Sequence, residues 1–103
     1  MIIFLAQITS FLLESTYLAK IVMQQLILYT KQNCHLCDQA EQILQAVQRD
    51  IPVEVEQVDI AAPQNVAALA RYGERIPVLG QPGRKTELNW PFSLVEVKAY
   101  LAR

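Results

Sequence analysis

Short apolar runs and amphipathic stretches alternate along the chain from Gln24 onward. Leu26-Ile27-Leu28-Tyr29 is a continuous apolar run of strand length, the pattern of a strand covered on both faces. After the polar loop Thr30-Lys31-Gln32-Asn33, Leu36, Ala40, Ile43, Leu44 and Val47 recur at helical spacing. They predict one apolar face of a helix that Ile51-Pro52 ends. Asp38 and Glu41 fall in its early turns, where carboxylates complement the helix dipole. Val53-Glu54-Val55-Glu56 alternates strictly and predicts a half-exposed strand at or near a sheet edge. Pro63 opens a second helix through Val66, Leu69 and Ala70, with Gly73 as its stop. Ile76-Pro77-Val78-Leu79 is a third, apolar strand. Gln81-Pro82-Gly83-Arg84 is a turn, and Thr86–Trp90 is a fourth, mixed strand. Ser93-Leu94-Val95-Glu96 matches a capping box, with Leu94, Val97 and Leu101 on one helical face.

The order β-α-β-α-β-β-α makes this an α/β chain. A strand–helix–strand crossover implies parallel pairing, and the short glycine turn implies an antiparallel hairpin, so the four-stranded sheet is mixed. The two uniformly apolar strands belong in its middle and the two alternating ones outside. Helices then cover both faces.

Residues 1–23 break this pattern. They hold 16 apolar residues and two charged ones, Glu14 and Lys20. Phe4, Ile8, Phe11, Leu12, Leu18 and Val22 form a helical stripe, so an extra N-terminal apolar helix is expected. It would pack on its own domain, on a partner chain or, less readily, on a membrane surface. Gln7, Thr9, Ser10 and Glu14 interrupt it too often for a span of about 20 apolar residues. No Lys or Arg precedes the apolar run, as a secretory signal would require. Met23, directly before the patterned unit, is an alternative start. The division is an extension at 1–23 and a domain at 24–103.

Composition narrows the function classes. With 52% hydrophobic and 18% charged residues the chain is globular in type. Nine Lys+Arg against ten Asp+Glu leave no basic excess for nucleic acid. One small domain is the expectation.

Candidate chemistry is concentrated in Cys34-His35-Leu36-Cys37, which holds both cysteines at a strand–helix junction. Residues i and i+3 of a first helical turn lie close enough to close a disulfide. The unpaired N–H groups and dipole there favour the thiolate of the leading sulfur. Cys37 falls on or beside the buried stripe and Cys34 precedes it. The expectation is an exposed Cys34 nucleophile and a shielded, resolving Cys37. Lys31 and His35 could stabilise the thiolate further, Asp38 could oppose it, and His35 reads equally as a solvated loop residue. A metal reading is the rival. Two cysteines and one histidine fall short of a four-ligand zinc site, and an iron–sulfur centre would need a second chain. A redox-idle binding or scaffold module, or a dimeric metal or cluster carrier, therefore remains beside thiol–disulfide exchange.

The segments LILYTKQNCHLC, QVDI, RYGERIPVL and ELNWPF, spread over residues 25–103, resemble glutaredoxin-like proteins of the thioredoxin superfamily. The closing L-x-W-P-F is similar to that of a small glutaredoxin-like subfamily. The resemblance implies the four-stranded thioredoxin fold and a cytoplasmic thiol–disulfide oxidoreductase. It implies that Pro77 is a cis-proline facing the cysteines, with the Ile76 backbone pairing with an extended substrate segment. Lys31 matches a position used near glutathione's carboxylate. The Gly-Gly and Ser-Asp elements of a full glutathione site are missing, since GQPGRKTELNWPF stands in their place, and Arg75-Ile76 replaces the usual Thr-Val. Expected partners are protein or low-molecular-weight disulfides and a thiol reductant. No cofactor is required, and glutathione is one possible reductant.

Overall fold

The computed structural model describes residues 23–103; the helix expected within 1–22, and its packing or membrane contact, lie outside the described residues. Strand β1 (Gln24–Thr30) pairs in parallel with β2 (Val53–Asp59) and antiparallel with β3 (Val78–Gly80). The last strand, β4 (Leu88–Asn89), pairs antiparallel with β3, so the order is β2-β1-β3-β4. The two apolar strands are central and the two mixed ones are outside, as their patterns predict. Helix α1 (His35–Asp50) links β1 to β2, α2 (Val66–Tyr72) links β2 to β3, and α3 (Leu94–Ala102) closes the chain. The parallel pairing expected of a strand–helix–strand connection holds through α1 but not through α2, since β3 runs antiparallel to β1. Together they form a thioredoxin-like α/β fold. Among the described residues, no helix is long and apolar enough to cross a membrane.

The main core lies on one face of the sheet. Leu26 and Leu28 of β1 are fully buried in one cluster with Ala40, Leu44 and Val47 of α1 and Val97 and Leu101 of α3. Ile27 and Tyr29, whose side chains alternate to the opposite face, are only half-buried or meet α2. The capping box of α3 is complete: Glu96 N–H donates to Ser93 Oγ at 3.1 Å, and Ser93 N–H donates to Glu96 Oε1 at 3.2 Å. Lys98 Nζ donates to Asp50 Oδ2 at 2.7 Å and links α3 to the end of α1. This hydrogen bond and charge hold the Asp50 carboxyl below its usual range, but the pair is exposed and contributes little to stability.

The Gln81–Arg84 turn folds the β3–β4 hairpin onto α3. Arg84 N–H donates to Gln81 O at 3.0 Å, and Gly83 takes φ 81° at the third position, the conformation a type II turn reserves for glycine. The Arg84 guanidinium lies 3.9 Å over the Tyr100 ring and donates to the Tyr100 carbonyl at 2.6 Å.

Several local expectations are corrected. Leu36 is 44% exposed and lies off the apolar face of α1, which runs through Cys37, Ala40, Leu44 and Val47 instead. The steps of three, four and three residues from Cys37 keep one face inward, and Leu36 stands a helical step ahead of it. In α2, Val66 and Leu69 are 67% and 48% exposed. A 3-10 turn at Pro63–Asn65 delays the start of the helix, and Tyr72 is the residue that meets the sheet. Gly73 stops α2 with right-handed φ −47°, not a left-handed cap. A Cβ there would stand 2.8 Å from the Leu69 carbonyl oxygen, so close backbone approach is the reason for glycine. β3 starts at Val78 rather than Ile76, because Pro77 has no N–H to give the ladder. β4 is two residues long, and the Thr86 carbonyl accepts from Tyr100 Oη at 2.7 Å instead of extending it.

Candidate functional site

The site begins where β1 ends. Thr30 closes the strand, Lys31 and Gln32 turn outward, and Asn33 adopts φ 60°. This is a left-handed conformation that asparagine accepts more readily than most residues. It delivers Cys34 to the N-cap of α1 in an extended conformation, φ −105° and ψ 104°. The Cys34 carbonyl accepts the first helical bond from Asp38 N–H at 3.1 Å. Its sulfur accepts from Cys37 N–H at 3.2 Å, the place a serine or aspartate oxygen takes in an ordinary cap.

Cys34 and Cys37 are joined as a disulfide, with Cα atoms 5.2 Å apart. Their burial differs: Cys37 is 1% exposed inside the α1 face, while Cys34 is half-buried at the helix mouth. The two residues between them, His35 and Leu36, are exposed, and so is Lys31. The disulfide lies within one helical turn, between a half-buried residue and a buried one.

Pro77 is fully buried and the Ile76–Pro77 peptide bond is cis; Ile76 is half-buried. Tyr29 pairs with Val78, so continuing the register sets Pro77 across from Thr30, at the same end of the sheet as the cysteines. Lys31, Ile76 and Pro77 therefore share that end with Cys34. On the β2 side, a cleft of about 350 Å³ is lined by Lys31 and Asn33 together with Asp38, Glu41 and Asp59. Among the described residues, no group of three or more His, Cys, Asp or Glu side chains is gathered as a metal site.

A polar network that joins the end of α2 to the β3–β4 hairpin has no counterpart in the sequence pattern. Tyr72 stacks on Tyr29 with ring centroids 4.2 Å apart, and its hydroxyl donates to Glu87 Oε2. The other oxygen, Glu87 Oε1, pairs with Arg75 Nη2 at 3.5 Å, and Arg75 Nη2 also donates to Asn89 Oδ1 at 2.7 Å. The Arg75 guanidinium lies 5.5 Å from the Tyr72 ring centre. Burial first, and then donation to Glu87, pushes the Tyr72 phenol well above its usual range. Arg75 and Glu87 are 12 positions apart, and only the β3–β4 hairpin brings them together. The sequence signal was their placement on either side of a predicted hairpin. The second cis peptide, Trp90–Pro91, likewise escaped the sequence reading.

The Tyr72 bond gives a prediction with a defined pH course. A phenol raised in the folded state contributes stability that is complete below its unfolded pKa of about 10 and declines as pH rises above it. Tyr72→Phe should lose about 1.5–3 kcal/mol near neutrality, the scale for a hydrogen bond to a charged group. Urea denaturation repeated at increasing pH should show the gap to wild type narrowing above pH ~10. A constant gap would place the loss in packing instead.

Among solved structures, the chain is similar to protein XcR50 from X. campestris. The two are 39% identical, with 75% of this chain and 95% of that one covered and a TM-score of 0.62. It is also similar to protein Ne2328 from Nitrosomonas europaea, at 27% identity, 75% and 89% coverage and a TM-score of 0.63. Oxidised thioredoxin O2 from Arabidopsis thaliana shares the fold, at 19% identity, 78% and 73% coverage and a TM-score of 0.58. No curated protein matches the chain. The family model described as Glutaredoxin-like domain (DUF836) matches residues 25–102, and with the cysteine pair at the mouth of α1 the chain belongs to that glutaredoxin-like family.

Proposed function

We propose that this protein is a thiol–disulfide oxidoreductase that works by reversible dithiol–disulfide exchange. The observation that carries the reading is the unequal pair at the start of α1, a half-buried Cys34 capping the helix over a buried Cys37. In the reduced protein, the Cys37 N–H and the positive end of α1 favour a thiolate on Cys34. That thiolate attacks a substrate disulfide, forming a mixed disulfide and releasing one substrate thiolate. Cys37 then attacks the Cys34 sulfur, releasing the second and closing the protein disulfide. Two electrons pass from the protein to the substrate, and the protons of the protein dithiol pass to the two released thiolates. A thiol reductant reverses the protein half of the reaction.

In this reading Ile76 and Pro77 border the groove for an extended substrate segment, and Lys31 stands at its entrance. The substrates are disulfides of proteins or small molecules, and the reaction needs no bound cofactor. A cytoplasmic setting would supply the reductant. Cys37→Ser tests the proposal. With the resolving thiol gone, mixed disulfides on Cys34 should accumulate in cell extract and vanish on reduction. A variant that retains no partner, while the wild-type Cys34 thiol titrates near an unperturbed ~8.5, would favour the idle-module reading.

A further inference from the structure

Among the described residues, Glu87 is the one carboxylate that the exchange chemistry leaves unused yet that is held at both oxygens, by the Tyr72 hydroxyl and by Arg75. Its side chain is 15% exposed, against 45% for Arg75. Arg75 stands two residues before Pro77, on the segment that leads into the cis Ile76–Pro77 peptide. Its guanidinium is paired with the chain's own carboxylate and tied to Asn89.

Resting on the exchange reading above, we propose that Glu87 is a specificity-determining residue. By occupying Arg75, it turns the site away from anionic small disulfides, oxidised glutathione among them, and toward disulfides on neutral or cationic polypeptide segments. The charges at the β2 side act in the same direction. There, Lys31 lines one cleft together with Asp38, Glu41 and Asp59, so a ligand rich in carboxylates gains one cation and meets three like charges. An occupied attractive group beside a repulsive flank discriminates by disfavouring the wrong substrate. The chemistry itself is unchanged: Cys34 breaks the substrate S–S bond, Cys37 displaces the second thiolate, and the two substrate sulfurs leave as thiols.

The test uses the reduced full-length protein and three disulfides: oxidised glutathione, and the dimers of one short cysteine peptide flanked by lysines or by glutamates. Rate constants for protein oxidation are read by acid quench and chromatography. Wild type should prefer the lysine-flanked dimer over the glutamate-flanked one by about tenfold or more at low ionic strength. Added salt should speed the reaction with the glutamate-flanked dimer. Glu87→Gln keeps an acceptor for Tyr72 and removes the charge. It should raise the rates with glutathione and the glutamate-flanked dimer about three- to fivefold, without raising the lysine-flanked rate. Adding Arg75→Gln to that variant should cancel the gain. Equal wild-type rates for the two peptides would overturn the inference, as would salt slowing the glutamate-flanked reaction or Glu87→Gln moving all three rates together. In each of those cases exchange itself stands. If none of the three disulfides oxidises the wild-type protein, the exchange reading falls, and this inference with it.

Discussion

Cys34→Ser should lower the rate of disulfide exchange by about 10³-fold or more, the scale on which removing a nucleophile acts, while leaving the fold at least as stable. The two effects separate because Cys34 has two tasks in the structure. Its sulfur is the attacking atom of the proposed reaction, and it is also the N-cap acceptor for Cys37 N–H. A serine oxygen is a poor nucleophile here but one of the preferred caps, so the helix start survives. Cys34→Ala removes both tasks and should cost about 0.5–2 kcal/mol in addition to activity. Comparing wild type, serine and alanine proteins by urea denaturation requires reductant throughout. The disulfide, worth about 2 kcal/mol for so short a loop, is then absent from all three. A serine variant as destabilised as the alanine one would show that the sulfur does not cap the helix.

Leu28→Ala should be the most damaging single truncation considered, at about 2–5 kcal/mol. Leu28 is 0% exposed on the strand that pairs with both β2 and β3, and it sits in the cluster that joins the sheet to α1 and α3. Small domains are stable by only about 5–15 kcal/mol in total, so this loss should bring thermal unfolding down by well over ten degrees. Leu36→Ala is the matched control. The sequence pattern placed Leu36 on the buried face of α1, but it is 44% exposed. Its truncation should stay within about 0.5 kcal/mol of wild type. Thermal denaturation of the two variants checks both placements, and a large loss at Leu36 would contradict the exposure.

The contrast between those leucines shows where the sequence was legible. Strand character in Leu26–Tyr29 and the Ser93–Glu96 box came through because each depends on neighbours within a few positions. So did the inner and outer places of the strands, since apolar content reports how many sides of a strand are covered. Helix register alone predicts an exposed Cys34 and a shielded Cys37. Cys37 is buried and Cys34 is half-buried, so the order holds while Cys34 is less open than expected. What failed depended on phase or on distant partners. The 3-10 turn at Pro63–Asn65 shifted the inward face of α2 from Leu69 to Tyr72. Cis geometry at Ile76–Pro77 was expected only through the family resemblance, because an X–Pro bond is cis in about 5–6% of cases. The Tyr72–Glu87–Arg75 network has no local signal, since a Tyr, an Arg and a Glu read one at a time are ordinary surface residues. Only the folded hairpin makes them one unit.

The strand order also governs how the molecule meets copies of itself. β2 and β4 are the sheet's two rims, and each is guarded differently. At two residues with Pro91 close behind, β4 has too little free backbone to template another strand. The seven-residue β2 is long enough, but it presents exposed Glu54 and Glu56. A second copy laid antiparallel along it would bring these acids against their own counterparts. Crowded solution should therefore not drive rim-to-rim stacking into fibrous aggregates, even though both central strands are apolar. Among the described residues, the two rims of the sheet are thus poorly suited to pairing with another strand.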